Sequence, residues 1–176
     1  MPKCKVCSIS FESFRPMQKV CSWQCAKSIA KVAVEKLEKQ KIKLLKEKLK
    51  TRQEWLKEAQ SAFNAFIRIR DAELPCISCN RQHTGQYHAG HYRSVGSAPH
   101  LRFDESNCHK QCQPCNTHLS GNIVLYRKAL LAKVGEQEVE RLESENTTAK
   151  WSVDEIKAIR KTYTAKYREL KKAINL

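Results

Sequence analysis

Residues 76–122 gather side chains that can bind metal ions and move protons. All six histidines lie in this window, together with five of the nine cysteines. The histidines stand at positions 83, 88, 91, 100, 109 and 118. Histidine exchanges protons near neutral pH, and both residue types bind transition metals. The concentration therefore predicts a metal-supported site in the middle of the chain.

Two Cys-x-x-Cys pairs frame the window, Cys76 with Cys79 and Cys112 with Cys115. Each pair can direct two thiolates to one tetrahedral zinc ion at about 2.3 Å. A lone pair also occurs in redox sites, but two pairs in one short segment favour a structural zinc with four cysteine ligands. Taken alone, these pairs are equally typical of a purely structural finger.

The residues between and after the pairs make the pattern more specific. His91 is expected at a strand end, Asn107 stands five residues before Cys112, and Asn116 directly follows Cys115. This arrangement resembles the zinc-containing HNH (ββα-metal, treble-clef-like) endonucleases, especially the phage enzymes that act on Holliday junctions. Nearly the whole chain is also similar to the NinG (Rap) recombination protein family of lambdoid phages. The similar stretches are NAFIRIRD at 64–71, LPCISC at 74–79, AGHYR at 89–93, HKQC at 109–112 and CNTHLSGN at 115–122.

The resemblance implies a structure-specific nuclease acting on branched double-stranded DNA, such as Holliday junctions and D-loops. A neutral histidine can take a proton from water at working pH, and we assign that role to His91. One divalent cation, Mg²⁺ or Mn²⁺, would polarise the phosphate. We expect Asn107 to hold the His91 loop through backbone hydrogen bonds. Asn116, and with less support His118, would bind the catalytic metal.

One position departs from the HNH pattern. The residue before the base commonly carries a carboxylate or histidine metal ligand, and here it is Gly90. His88 has the same strand parity and could supply the ligand instead. A histidine there would suit Mn²⁺, Ni²⁺ or Zn²⁺ better than Mg²⁺, so the identity of the metal stays open.

A second cysteine group lies near the start of the chain, Cys4 with Cys7 and Cys21 with Cys25. This spacing predicts a second structural zinc. It leaves open whether the resulting knuckle contacts DNA or protein. Because the first residues lack the apolar run of a signal peptide, we expect a reducing compartment, the cytoplasm of a host cell if the gene is phage-borne.

The net charge of +15 is concentrated in the first part of the chain. Residues 1–70 carry 17 Lys and Arg against 6 Asp and Glu, whereas residues 71–122 carry 4 against 4. Excess charge of this kind suits phosphate backbones, although a solvated lysine-rich helix is the plainer explanation. We expect DNA affinity in the arm and chemistry in the middle. The predicted DNA contacts are Lys36, Lys39, Lys43, Lys46, Lys50, Arg93 and Lys110.

Apolar periodicity predicts a mainly helical chain around a small α+β zinc-containing module. We expect a long basic helix over 26–50 and a second helix from the capping box at Thr51 to Glu73. Further helices are expected over 123–134, through Glu143, and from the capping box at Ser152. The aromatic stripes of the second and last helices are expected to be packing surfaces. The predicted regions are a 1–25 knuckle, a 26–73 arm, a 74–122 nuclease module and a 123–176 helical region.

No stretch is apolar enough to cross a membrane. The family resemblance and the basic charge make branched DNA the expected partner. Two active sites would be needed to resolve a junction symmetrically, and a homodimer would supply them. The family resemblance also makes recombination proteins candidate partners. The competing interpretation is a noncatalytic, zinc-stabilised DNA-binding protein that assists recombination. A zinc-stabilised protein adaptor is the third alternative.

Overall fold

The structure is a computed structural model that describes residues 1–144 and 147–174. It is mainly helical, with one antiparallel pair of strands. The chain divides into two compact units, Met1–Lys50 and Thr51–Leu176. The helices are α1 (Trp23–Leu49), α2 (Arg52–Arg70), α3 (Ile123–Val134), α4 (Glu136–Ser144) and α5 (Val153–Ile174), and the strands are β1 (Tyr87–His91) and β2 (Cys108–Cys112).

The first unit contains the cysteine knuckle and α1. This helix begins three residues before the predicted Ala26, because Ser22 serves as its N-cap and accepts a hydrogen bond from the Cys25 backbone N–H. It ends at Leu49, where Lys50 has extended backbone angles. No residue of α1 is buried, and lysines lie around much of its surface. The long basic helix predicted from the sequence is therefore present.

Helix α2 begins at the predicted capping box, in which the Thr51 side chain accepts from the Glu54 backbone and the Glu54 carboxylate accepts from the Thr51 backbone. It ends at Arg70, three residues before the predicted end at Glu73. The reason is Asp71, whose carboxylate is bound by the Arg70 guanidinium at 2.8 Å and by the backbone N–H of Lys110 at 3.0 Å. These bonds fix the residue that follows the helix.

The main core of the second unit lies between α2 and α5. The predicted aromatic stripes meet here, with Phe63 fully buried and its ring 4.8 Å from that of Tyr163 in an edge-on contact. The Tyr163 hydroxyl donates to the Phe103 carbonyl oxygen, which ties α5 to the loop before β2. The expectation that these stripes serve packing is confirmed. The core residues are Trp55, Leu56, Ala59, Phe63, Phe66, Ile67, Phe103, Cys108, Ile156 and Tyr163.

Strands β1 and β2 form the small sheet that carries the site. Their register pairs His88 with Gln111, Gly90 with His109, and His91 with Cys108. Since side chains alternate along a strand, His88 and Gly90 lie on one face while His91 lies on the other. The His91 face packs against α2, and the Gly90 face packs against α3. The segment 92–107, which contains a short 3₁₀ helix at Pro99–Phe103, joins the strands.

Helices α3 and α4 build a smaller core on the Gly90 side of the sheet. Both lie where the sequence predicts them, and Gly135 separates them with a positive φ of 87°, which glycine adopts without a steric cost. The residues of this core are Tyr92, Ala98, Leu101, Tyr126, Leu130, Val139 and Leu142. Helix α5 follows the predicted capping box of Ser152 with Glu155.

Two further predictions concern boundaries and membranes. Helix α2, which the sequence interpretation placed in the arm over 26–73, belongs by packing to the second unit, because its apolar face forms the core with α5. The finer division at residues 25, 73 and 122 stays a prediction. Among the described residues, none of the helices is both long and apolar enough to span a bilayer.

Candidate functional site

The cysteines at positions 76, 79, 112 and 115 come together in the folded chain. Their sulfur atoms all lie within 4.8 Å of one another, and Cys79 Sγ is 3.9 Å from Cys112 Sγ. Four ligands bound tetrahedrally at about 2.3 Å have edges of about 3.8 Å, so the spacing fits a zinc ion. The distance is far too long for a disulfide bond. This cluster could bind zinc, as the spacing predicts.

Neighbouring polar groups hold the cluster in place. The Asn122 side-chain amide donates to Cys115 Sγ at 3.4 Å, and the Cys112 backbone N–H lies 3.4 Å from Cys76 Sγ. His83 Nε2 lies 3.3 Å from Cys79 Sγ. Groups that form hydrogen bonds to metal ligands hold those ligands in the orientation that the metal needs. Sequence reasoning missed His83 and Asn122, although His83 stands only four residues after Cys79.

The cysteines at positions 4, 7, 21 and 25 form the second cluster. Their sulfur atoms also lie within 4.8 Å of one another, with Cys7 to Cys21 at 3.5 Å and Cys21 to Cys25 at 3.7 Å. Cys25 is in the first turn of α1, where the Ser22 cap fixes its backbone. This group could bind a second zinc ion. Cys4 is only 2% exposed, so an ion bound to its sulfur would be partly shielded from solvent.

His91 is held between α2 and the loop before β2. Its Nε2 lies 2.9 Å from the carbonyl oxygen of Arg102, and the ring packs against Phe63 with centroids 6.0 Å apart. A carbonyl oxygen can only accept, so Nε2 carries the proton and, in the neutral ring, Nδ1 keeps its lone pair. Burial lowers the pKa of His91 below its usual 6.5. Nδ1 lies 3.8 Å from the buried Cys108 sulfur.

Asn107 makes the backbone hydrogen bonds that the sequence interpretation assigns to it. Its Oδ1 accepts from the Arg93 N–H at 2.8 Å, and its Nδ2 donates to the carbonyls of Arg93 at 3.0 Å and Leu101 at 3.2 Å. Its own carbonyl accepts from the Tyr92 N–H at 2.8 Å. The side chain is fully buried. Asn107 therefore connects the residues after His91 to the 3₁₀ helix.

The space beside Gly90 is filled by a side chain. A Cβ atom at this position would lie 2.2 Å from Gln111 Oε1 and 2.9 Å from Gln111 Cβ. Gln111 is fully buried, and its Nε2 donates to Ser78 Oγ and to the Gly121 carbonyl. The missing side chain at Gly90 thus makes room for Gln111, which sequence reasoning did not single out.

His88 and Gln111 are directly paired across the strands and share a face. His88 Nε2 and Gln111 Oε1 are both buried and have no hydrogen-bond partner among the described residues. Buried polar atoms normally have partners, so these two are open to a water or an ion. Both are possible metal ligands. The ligand role of His88 stays a prediction, and strand alternation places its side chain on the face opposite His91.

Asn116 and His118 lie in a one-turn π-helix at Pro114–His118, directly after the second cysteine pair. Asn116 is half-buried and His118 is exposed. Within residues 1–144 and 147–174, the cysteine clusters are the only groups of three or more His, Cys, Asp or Glu with converging ligand atoms. His88, His91 and His118 therefore do not form a three-histidine centre.

Two residues that the sequence predicts to contact DNA instead form hydrogen bonds within the protein. Lys110 is 6% exposed, and its ammonium donates to the Ala72 carbonyl and lies over the Tyr87 ring. The Arg93 guanidinium donates to the carbonyls of Leu142 and Glu143, at the C-terminal end of α4, where a cation is stabilised by the exposed carbonyls. Predicting a phosphate contact was wrong for Lys110, because its ammonium is buried.

Two other residues of β2 are also buried, and their side chains make contacts within the protein. The buried His109 Nδ1 lies 3.2 Å from the Tyr126 hydroxyl, and burial lowers the pKa of His109 to about 3. Cys108 is fully buried, as expected for an unpaired cysteine that packs as an apolar residue. By contrast, the side chains of Lys36, Lys39, Lys43 and Lys46 are exposed on α1, and Lys50 is half-buried.

Comparison with known proteins gives a consistent result. Residues 1–173 match the family described as Bacteriophage Lambda NinG protein. The chain is 40% identical over 190 residues to Protein ninG of Escherichia phage 933W, covering 96% of this chain and 93% of that protein. It is 47% identical over 131 residues to Protein ninG of Escherichia phage lambda, covering 74% and 64%.

Protein ninG of Salmonella phage P22 is 48% identical over 131 residues, covering 74% of this chain and 64% of that protein. No solved structure matches the chain. The family match spans both cysteine clusters, the two strands and all five helices nearly to the end of α5. On sequence identity and coverage together, the chain belongs to the NinG family of lambdoid phage proteins.

Proposed function

We propose that this protein is a metal-dependent, structure-specific endonuclease that hydrolyses phosphodiester bonds in branched DNA in the host cytoplasm. The observation that carries the proposal is the setting of His91. Its ring stands at the end of β1, its protonated nitrogen is bound to the Arg102 carbonyl, and its other nitrogen, Nδ1, keeps its lone pair 3.8 Å from the Cys108 sulfur. A DNA-binding module without catalysis has no need of a histidine fixed in one tautomer.

The surroundings of His91 suit a general base. Burial lowers its pKa, so the ring is neutral at physiological pH and can accept a proton from an attacking water. The Arg102 carbonyl stabilises the ring after it has taken up that proton, because the Nε2–H bond strengthens when the ring is charged. Burial also raises the pKa of the Cys108 thiol, so no thiolate competes beside Nδ1.

A divalent cation would stabilise charge on the phosphate and on the leaving oxygen. The residues proposed to hold it are His88, Asn116 and His118. The partnerless, buried Nε2 of His88 supports that assignment, and Gln111 Oε1 joins the candidates on the same ground. Mg²⁺ or Mn²⁺ is proposed as the ion, with Mn²⁺ favoured if His88 is a ligand.

The charge distribution supports DNA as the substrate. The exposed lysines of α1 face solvent, and a phosphate backbone would release counterions on binding them. A zinc ion bound by Cys76, Cys79, Cys112 and Cys115 would supply rigidity that the small sheet lacks by itself. Symmetric cleavage of a four-way junction would use a homodimer, and recombination proteins are the proposed further partners.

The test is cleavage of end-labelled duplex, fork, D-loop and four-way-junction DNA with added Mg²⁺ or Mn²⁺. We expect the wild type to nick branched substrates and His91→Ala to lose about 10²- to 10⁴-fold in rate while it binds the same DNA. His118→Ala is the comparison variant, and its cleavage rate should fall by less than that of His91→Ala. Undiminished cleavage by His91→Ala would overturn the catalytic assignment.

The alternative is a noncatalytic, zinc-stabilised DNA-binding protein that assists recombination. The observation in its favour is that His88 and His91 lie on opposite faces of the sheet. A wild type that binds branched DNA but nicks none of the substrates with any divalent ion would establish this alternative. The host-cytoplasm assignment is common to both proposals.

A further inference from the structure

A groove runs along the outer face of α2 and is closed on one side by the 3₁₀ helix. It encloses about 510 Å³ and is hereafter the α2 groove. The residues that line it are Gln53, Leu56, Lys57, Gln60, Ser61, Asn64, Arg68 and Arg102. All of them belong to the second unit, and none is among the residues that the sequence interpretation predicted to contact DNA.

The groove is strongly positive. Three of its lining residues, Lys57, Arg68 and Arg102, are cations, and none of the described residues that line it is acidic. Four others, Gln53, Gln60, Ser61 and Asn64, carry neutral hydrogen-bond donors. This combination of guanidinium, ammonium, amide and hydroxyl groups is the set that proteins use to contact DNA phosphates.

Arg102 shows most clearly that the groove lacks an anion. Its guanidinium is half-buried and donates to the neutral Gln60 Oε1 at 3.3 Å, and it forms no ion pair with a carboxylate of the described residues. Burial and the nearby charge of Arg52 lower its pKa. A half-buried cation normally pairs with a carboxylate, as Arg70 does with Asp71 and Arg141 does with Asp104. A phosphate would supply that partner from outside the chain.

Arg102 also connects the groove to His91. Its backbone carbonyl accepts the hydrogen bond from His91 Nε2, while its side chain lines the groove. Lys57 and Arg68 are eleven residues apart on one helix, which corresponds to about 16 Å along the axis. Measured along the axis of B-DNA, where each strand carries one phosphate per about 3.4 Å, that length corresponds to about five phosphates of one strand. The groove can therefore follow a stretch of DNA backbone, and the Arg102 carbonyl connects it to His91.

We infer that the α2 groove binds the phosphodiester backbone of DNA next to His91, through Lys57, Arg68 and Arg102. The choice of DNA as the ligand rests on the proposed function. The second unit thus holds the substrate itself, rather than relying only on the lysines of α1. The groove contacts are independent of base sequence, because they involve phosphate oxygens alone.

The test is a binding titration with a fluorescent four-way junction at several salt concentrations, using the zinc-loaded full chain without added divalent metal. The groove variant is Lys57→Gln/Arg68→Gln/Arg102→Gln. The control variant removes the same charge from exposed positions on α5: Lys161→Gln/Arg168→Gln/Lys172→Gln. A third variant, Lys57→Gln/Arg68→Gln, changes only exposed side chains and leaves the half-buried Arg102 in place.

We expect the groove variant to bind at least tenfold more weakly than the control variant, with a salt slope lower by about 2 to 3. The variant Lys57→Gln/Arg68→Gln should show about two-thirds of that reduction in the salt slope. Equal affinity of groove and control variants, or absence of any wild-type DNA binding, would overturn the inference. Because binding is read without cleavage, a wild type that binds through the groove but never cuts supports the inference while refuting the nuclease.

Discussion

The Nε2 atom of His91 lies 2.9 Å from the carbonyl oxygen of Arg102, and this contact fixes which nitrogen of the ring can act as a base. The contact is to backbone, so it is kept when the Arg102 side chain is changed. The side chain and the carbonyl of one residue can thus be tested separately, the first by DNA binding and the second through the behaviour of His91.

The pH dependence of cleavage should follow the protonation of the His91 ring. Burial lowers its pKa below 6.5, and only the neutral ring can accept a proton. The single-turnover rate should therefore rise with pH through this lowered pKa and reach its plateau below neutrality. Phe63→Leu loosens the packing on the ring and should move the midpoint to higher pH. A wild-type midpoint above pH 7 would contradict the assignment of His91 as the base.

Gly90→Ala should destabilise the second unit by about 1–3 kcal/mol, because the new methyl group meets the buried Gln111 side chain. Chemical denaturation measures the change. Gly85→Ala is the matched control, since a Cβ there meets nothing within 4 Å, and it should change stability by less than about 0.5 kcal/mol. Equal effects of the two substitutions would show that Gln111 does not require a glycine opposite it.

Asn107→Ala should lower the free energy of unfolding by about 2–4 kcal/mol, because it removes three hydrogen bonds and leaves buried backbone groups without partners. Asn64→Ala removes a single side-chain hydrogen bond at a half-buried position on α2, so it serves as the control and should lower stability by about 1 kcal/mol or less. Hydrogen exchange should also become faster in residues 92–107. Unchanged exchange in this segment would show that other contacts hold the loop.

The purified protein should contain two zinc ions per chain, one for each cysteine cluster. Metal analysis should find one ion fewer in Cys79→Ser/Cys112→Ser, and likewise in Cys7→Ser/Cys21→Ser. Cys108→Ala should keep both, since Cys108 belongs to neither cluster. The first double variant should also lose cooperative unfolding of the second unit, because its strands and loops are tied to that metal. Full zinc content in either double variant would refute the corresponding site.

Replacing the lysines at positions 36, 39, 43, 46 and 50 by glutamine should weaken junction binding and reduce the salt slope by up to about 4. These residues follow one another at three- and four-residue intervals, so they share one face of the helical segment. The control replaces the lysines at 27, 31, 41 and 48, which lie on other faces of α1. An equal loss per charge in the two variants would indicate a diffuse electrostatic effect rather than a binding face.

Local signals in the sequence predicted much of the fold. The capping boxes at Thr51 and Ser152 gave the starts of α2 and α5, and Gly135 gave the end of α3. Cysteine spacing predicted both sulfur clusters. These features are encoded within a few residues or by rigid ligand chemistry, so they do not depend on the packing of distant segments.

What the sequence did not reveal depends on distant contacts. Lys110 looks like a surface residue in a polar stretch, but all five residues of β2 are buried because helices cover both faces of the sheet. Its backbone partner Asp71 lies far away in sequence. The α2 groove was missed for the same reason, since Arg102 joins the α2 residues only in the folded chain.

The packing of α2 against α5 also determines the order in which the second unit can form. The two helices are separated by more than eighty residues of chain, whereas the cysteine cluster spans only 76–115. Closing the longer loop carries the greater entropic cost and comes later during synthesis from the ribosome. All four cysteines of this cluster are therefore synthesised before Phe63 and Tyr163 can meet. Metal binding by this cluster can therefore precede closure of the core between α2 and α5.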